Sequence, residues 1–336
     1  MAGMKVLVIG GGQFVGRHFL QAALARGHQV TAFNRGLTAP QPLAGVTHLQ
    51  GDRKGDSSAL HGGRWDAVVD TCGYLPRDVA RMADALRGRV ERYLFVSSVS
   101  VYADFATPNH EDSPLGTIDD VDTDVVDART YGPLKALCER SLLQGFNSAS
   151  TLIVRPGLVV GPHDPTQRFT YWPARIARAD DGEAVLVPGA PQHPIQCIDA
   201  RDLAAFMLDC IEAGRTGRFN AASPSGQWTM GELLATCARV AKCTPQWRWA
   251  DAAVLASLGL KPWNDMPLWL EPQGEYAAFA HTDVSAALAA GLHIRPLADT
   301  VADTLTWYRS LPTEAQAFTK AGLSPEREAA ALAAMM

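Results

Sequence analysis

Seven residues near the N-terminus, Gly10-Gly11-Gly12-Gln13-Phe14-Val15-Gly16, restrict this chain more than any other stretch. They follow a short apolar run, Lys5 to Ile9, and precede residues 17–26, whose apolar side chains recur at helical spacing; residues 29–33 then read as a second strand. A strand, a glycine turn, a helix and a strand in that order set backbone N–H groups and the positive end of a helix dipole where a pyrophosphate binds. That position gives the motif a meaning a lone run of glycines lacks. Gly10, Gly12, Gln13, Phe14, Val15 and Gly16 are the residues expected against a dinucleotide.

The second strand ends Phe33-Asn34-Arg35. A site for NAD(H) normally has Asp or Glu here to accept hydrogen bonds from ribose hydroxyls, and that carboxylate would repel a 2′-phosphate. Arg35 can instead pair with such a phosphate through a charge-assisted bidentate contact, with Asn34 supplying a neutral amide. The reading favours NADP(H) over NAD(H). Apolar runs at 47–50, 67–70, 93–97 and 151–154 alternate with helix-like stretches at 79–86 and 134–143, which predicts an α/β fold with a doubly wound parallel sheet of the Rossmann type. Asp52, after the third strand, is a candidate for the adenine edge. Thr71, Cys72 and Gly73, after the fourth, are candidates for the backbone lining the cofactor.

Tyr131-Gly132-Pro133-Leu134-Lys135 places Tyr131 and Lys135 four residues apart at a helix start, on one face. Hydride transfer to or from a carbonyl needs a proton donor or acceptor at the oxygen, and free tyrosine, with a pKa near about 10, is a poor base at neutral pH. A neighbouring ammonium lowers that pKa, and Lys135 could also hold the nicotinamide ribose. The strand 93–97 runs into Ser98, Val99 and Ser100 at the carboxyl edge of the sheet, the usual location of a bound substrate. A serine there can polarise a carbonyl.

With these motifs the chain resembles the extended short-chain dehydrogenase/reductases, the NAD(P)-dependent epimerase/dehydratase family. The resemblance runs from Lys5 to about Tyr308 and is carried by Gly10 to Gly16, Ser97 to Tyr102, Tyr131 to Lys135, Arg155-Pro156-Gly157 and Ile198-Asp199-Ala200-Arg201-Asp202-Leu203. It implies that the catalytic hydroxyl lies four residues before Tyr102, which selects Ser98 over Ser97 and Ser100, that Tyr131 is the acid/base and that Lys135 is its partner. Pro156 is expected beside the cofactor and Ser100 and Gly157 beside the substrate, with Arg168, and Trp263 or Trp269, as further substrate candidates. Two departures stand out. The family's middle glycine is Gln13 here, and the segment between Gly73 and Tyr93 is short and is expected to lack the helix whose asparagine supports the proton relay. Both features resemble an atypical bacterial branch that is also similar to the chloroplast stem-loop-binding proteins.

Beyond Pro156, repeated prolines break the chain into short pieces. The expected organisation is a Rossmann domain over 1–165, to which 195–222 returns, a substrate lobe over 166–194 and 223–315, and a helical tail over 316–336. Helices are expected at 283–288 and 297–308. Trp247, Trp249, Trp263 and Trp269 read as core and lid packing, with Trp263 the one offered to a substrate. Glu111, Asp112, Asp119, Asp120, Asp122, Asp124 and Asp127 precede Tyr131 with no intervening Lys or Arg; they read as a solvated loop that, where it borders the pocket, repels anions. A nucleotide-sugar enzyme needs arginines for the diphosphate, and Arg168, Arg175 and Arg178 are those on offer. His163 and Asp164 read as loop-capping residues.

Composition bounds the rest. The 336 residues are 47% hydrophobic and 19% charged with net charge −5, which argues against disorder and against general attraction to nucleic acid. No apolar stretch is long enough for a membrane span, and the six scattered cysteines suggest neither disulfides nor a metal site. A cytoplasmic enzyme acting on a small molecule is expected, with a homodimer possible through Leu137, Leu142 and Leu143 unless these face the sheet. Two alternatives are a nucleotide-sugar epimerase or dehydratase that recycles its hydride, and an RNA-binding or regulatory protein on the same scaffold. The intact Ser98, Tyr131 and Lys135 and the absence of a basic stripe oppose the last.

Overall fold

The apolar runs pair edge to edge into one sheet. In the computed structural model, which describes residues 3–37 and 43–335, seven strands form it: β1 (Lys5–Ile9), β2 (Gln29–Asn34), β3 (Val46–Gln50), β4 (Trp65–Asp70), β5 (Val90–Val96), β6 (Thr151–Pro156) and β7 (Gly217–Ala221). All neighbours are parallel and the spatial order is 3-2-1-4-5-6-7. The order reverses between β1 and β4, and the loops leaving these two strands diverge to opposite faces, opening a crevice at the carboxyl edge.

Helices cover both faces because the central strands are apolar on both sides. α1 (Phe14–Ala25) packs with α5 (Ala200–Glu212) on one face, burying Phe19, Leu20, Leu203 and Phe206. α2 (Pro76–Leu86) packs with α3 (Tyr131–Gly145) on the other, burying Val79, Met82, Leu86 and Leu142. Leu143 also packs against this second core, so two of the three α3 leucines face inward. α2 is the helix expected at 79–86, starting earlier, at Pro76, and it contains no asparagine. Pro76 opens it, Asp78 sits in its first turn, and Asp78, Val79, Met82, Ala83 and Leu86 form a buried face at helical spacing.

A second core lies beyond the sheet. α4 (Arg168–Ile176), α6 (Met230–Ala241), the parallel strands Ala184–Pro188 and Gln246–Ala250, and the terminal helix Pro325–Ala334 contribute to it. Arg175 holds that terminal helix by donating to Glu328 (2.5 Å) while also reaching Glu183 (2.8 Å). The helix expected at 283–288 is only Ser285–Ala289, and that expected at 297–308 extends over Leu297–Ser310. Among the described residues no helix is long and apolar enough to cross a membrane.

Candidate active site

The crevice holds a cavity of about 1570 Å³ whose walls come from the sheet's carboxyl edge on one side and the second lobe on the other. Gly10, Gly12, Gln13, Phe14, Val15 and Gly16 all line it. Gly10 has φ +103°, and a Cβ there would lie 2.5 Å from Thr71 Oγ1. At Gly16 a Cβ would come 2.8 Å from the Cα and N of Gly11, so the helix starts in contact with the turn. Gln13 has φ −139°, ψ 157°, a conformation open to any residue, which is why the glycine usual there can be replaced. No side chain caps α1, so its first-turn N–H groups remain available, and glycine-made room with uncapped amides fits a dinucleotide pyrophosphate.

At the end of the cavity beyond β2, Arg35, Asp52, Thr71 and Cys72 line it, Arg35 at its exposed rim. Asn34 lines it too, but not as a free amide. Its Nδ2 donates to the Gly10 carbonyl (2.8 Å) and its Oδ1 accepts from Gly36 N (2.9 Å), so it braces the glycine turn. Two expected cofactor contacts lie behind the wall. Gly73 is packed against Phe95 and Val79, and Pro156 is buried at the end of β6 while its neighbour Gly157 faces the cavity.

Arg53 was missed by the sequence reading. It lines the same end and donates twice to Asp70 (2.6 and 2.9 Å), a fully buried carboxylate that also accepts from Tyr93 Oη (3.0 Å). Against the cost of its burial, the Arg53 guanidinium keeps Asp70 below the ordinary carboxylate range. A charged residue ending an otherwise apolar β4 was the available signal.

At the reacting end Ser98, Ser100 and Tyr131 line the cavity and Ser97 does not. Ser97 points inward to donate to Glu139 (2.5 Å), whose carboxylate pairs with the buried Arg155 (2.6 Å); Arg155 also donates to Tyr102 Oη (3.1 Å), and Tyr102 to Asn220 (2.6 Å). This network joins β5, α3, β6 and β7 beneath the site. Ser98 lies 3.1 Å from both the hydroxyl and the amide of Ser100. Gly132 sets the approach of α3, since a Cβ there would collide with the Ser100 carbonyl.

Lys135 is 3% exposed and lies behind the wall, donating to the carbonyls of Val96 (2.6 Å) and Gly73 (2.9 Å). Burial pulls its ammonium down to about 8. Tyr131 is pushed up to about 12, by burial first and by the nearby Tyr74, with a hydrogen bond to Ser98 opposing. The expectation that Lys135 depresses the phenol is therefore not realised in this geometry, where its hydrogen bonds go to backbone carbonyls. Tyr131 is held as a neutral acid. Tyr74, whose ring centroid lies 6.3 Å from that of Tyr131, is a cavity residue the sequence reading did not select.

The second lobe supplies the opposite wall. Gly157, Arg168 and Trp263 line it, and the Arg168 guanidinium sits 5.4 Å from the Trp263 ring. Arg175 is committed to Glu328 and Glu183, and Arg178 lies over Phe318, so neither is offered to the cavity. Trp269 is buried and Trp247 and Trp249 pack against the second core. Asp164 accepts from Thr166 N and Oγ1, a loop-capping contact. In the acidic stretch Asp127 lines the cavity and caps the approach to α3 by accepting from the amides of Arg129 and Thr130, while Glu111 accepts from Asn220 N and most of the others are solvent-exposed.

Known proteins resemble this chain in sequence or in fold. Residues 66–222 match the NAD dependent epimerase/dehydratase family. A chloroplast stem-loop binding protein of 41 kDa from Arabidopsis thaliana is 28% identical over 64% of this chain and 57% of its own length. A 2-alkyl-3-oxoalkanoate reductase from Stenotrophomonas maltophilia is 30% identical over 61% of this chain and 64% of its own. The matches thus span less than two thirds of either relative. The crystal structure of Bordetella bronchiseptica WbmH in complex with NAD+ superposes with a TM-score of 0.67 over 91% of this chain and 98% of that one, at 17% identity, a likeness of fold. With its glycine turn, reversed strand order and matched central segment, the chain is similar to the NAD dependent epimerase/dehydratase family.

Proposed function

We propose that this protein is an NADP(H)-dependent oxidoreductase that reduces or oxidises a small-molecule carbonyl or alcohol, with Tyr131 as acid/base. The convergence of Ser98 and Tyr131 on one cavity wall, with Lys135 buried directly behind it, carries the reading. A phenol held near 12 is fully protonated at neutral pH and can donate to a carbonyl oxygen as it becomes an alkoxide. The Ser98 hydroxyl, fixed by the Ser100 amide, supplies a second donor at that oxygen. Lys135 fixes the wall by joining the end of β5 to the loop after β4 through their carbonyls, and below about pH 8 places a positive charge beneath the site. Bound NADP(H) supplies the hydride.

The 2′-phosphate preference rests on Arg35 and Lys54 at the cavity end where β2 closes on Asn34 rather than a carboxylate. The similarity to the Stenotrophomonas 2-alkyl-3-oxoalkanoate reductase supports net reduction. A ketone panel followed by NADPH absorbance, with product analysis, tests the reading. Stoichiometric NADPH loss with alcohol formation is expected. Interconversion of a nucleotide sugar without net cofactor change would replace it with the epimerase reading.

A further inference from the structure

Arginines drawn into the interior of this protein mostly have a carboxylate partner. Arg53 pairs with Asp70, Arg155 with Glu139, and Arg175 with Glu328. Among the described residues Arg17 and Arg168 form no such pair, and of these two only Arg168 lines the cavity of the candidate site. Among the described residues it makes no salt bridge, its Nε is buried without a hydrogen-bond partner, and burial pulls it below the usual arginine range. The Asp164 carboxylate acts on Arg168 through its charge without forming an ion pair; one of its oxygens accepts from Thr166 N (2.8 Å) and Oγ1 (2.7 Å) and the other is buried without a hydrogen-bond partner. Taking a guanidinium out of water without a hydrogen-bonded counter-charge is costly, and an arriving anion would relieve that cost.

The surroundings of Arg168 are built to hold it. It opens α4 after Gln167, whose φ is +63° and whose side chain donates to Ala317 O and accepts from the amides of Thr319 and Lys320. Its guanidinium faces Trp263, itself at φ +66°, an unusual conformation for so large a residue. Two backbone hydrogen bonds, from Trp263 N to Met266 O (3.2 Å) and Trp269 O (3.0 Å), keep it there. Strain maintained by surrounding contacts is a mark of functional sites. From Trp263 an aromatic row continues to Phe279 (5.3 Å between centroids) and Phe105 (5.1 Å), which packs with Val99 and Tyr102 beside the Ser98 turn.

We propose that Arg168 and this aromatic row form one subsite, taking a single anionic group on the guanidinium and an apolar body on the rings. The carbonyl substrate is then an amphiphilic monoanion, such as a keto acid with an aryl or alkyl body. The inference rests on the oxidoreductase reading for its substrate and goes beyond it in naming the class. Asp104, Asp127 and Glu275 line the cavity together with Arg168, and the charge of these carboxylates disfavours a diphosphate.

The probes are 5-oxo-5-phenylpentanoate, its methyl ester and UDP, titrated calorimetrically into the NADP-loaded protein and assayed in parallel for NADPH consumption. The acid should bind about ten-fold or more tightly than the ester, the scale of a charge-assisted hydrogen bond. Arg168→Met should bring the ratio close to one, Arg168→Lys should retain part of it, and Trp263→Leu should weaken acid and ester together. A melting curve for each variant separates loss of fold from loss of contact, and the comparison of acid with ester in the unaltered protein needs no variant. Equal binding of acid and ester, no measurable binding of the acid, tighter binding of UDP, or an unchanged ratio in a folded Arg168→Met would each overturn the subsite. Binding of the acid without NADPH consumption would count against the oxidoreductase reading and leave the subsite standing. Equal consumption with acid and ester would do the reverse.

Discussion

The two walls of the cavity are made of different material. The wall at β1 and β4 is largely backbone: a glycine turn, uncapped helix amides and the carbonyls that receive Lys135. The facing wall is side chains from separate segments, Arg168 at the start of α4 and Trp263, Phe279 and Phe105 in loops, held by edge-to-face aromatic contacts and the Arg168–Trp263 contact. Backbone presents the same donors whatever the ligand beyond the diphosphate, so it suits a cofactor shared among many enzymes. Side chains can be exchanged one at a time without moving the sheet, so substrate choice resides on the second wall.

If that division holds, variants on the first wall and the reacting group should alter chemistry, stability or cofactor choice while leaving the substrate preference of the second wall intact. Tyr131→Phe should give the largest effect, about two or more orders of magnitude in turnover, since proton transfer by a positioned group contributes on that scale. NADPH affinity, measured by fluorescence titration, should be nearly unchanged. Turnover retained in a working assay would remove Tyr131 from its assigned role.

Next in size is the ion pair at the end of the cavity beyond β2. Arg53→Met leaves Asp70 buried with only Tyr93 and the Cys72 amide as side-chain and backbone donors, and should destabilise the protein by about 3 kcal/mol in denaturant unfolding without cofactor. Pairing it with Asp70→Leu should recover much of that loss. Recovery would show that the penalty comes from the stranded carboxylate.

Lys135 connects the two properties through pH. Its folded pKa lies at about 8, below the ordinary 10.5, so the charged form is disfavoured by folding. That cost is fully present below about pH 8 and disappears as pH rises toward 10.5, so the contribution of Lys135 to stability improves with pH. Cofactor affinity should run the other way, falling as the ammonium is lost above about pH 8. Lys135→Met should flatten both dependences. An affinity in the unaltered protein that is independent of pH across that range would separate Lys135 from the cofactor.

The smallest effect is expected at the rim. Arg35→Ala should weaken NADPH by about 1.5 kcal/mol, the low end for a charged hydrogen bond because the side chain is exposed, and scarcely change NADH. Asn34→Asp is now expected to disturb the glycine turn, because a carboxylate cannot donate to the Gly10 carbonyl. If Arg35→Ala weakens both cofactors equally, Arg35 is a turn residue and the NADP preference is wrong.

Much of the first wall was legible because its parts are contiguous or one helical turn apart: Gly10 to Gly16 in one turn, and Tyr131 and Lys135 four residues apart on α3. Asn34 was misjudged because its partners, Gly10 and Gly36, become apparent only when β1 and β2 pair and the turn after β2 closes. Lys135 was assigned the right place and the wrong contact, since the carbonyls that bind it belong to β5 and to the loop after β4.

The sequence by itself determined the strand and helix periods, the glycine turn and the order of the reacting residues, because each depends on neighbours along the chain. The tertiary structure alone decided which arginine without an ion pair lines the cavity, which tryptophan reaches it, and how far burial moves Tyr131 and Lys135 from their ordinary acidities. The reason is physical: desolvation and charge pairing depend on what surrounds a group in space, and those surroundings come from segments whose approach no local pattern encodes.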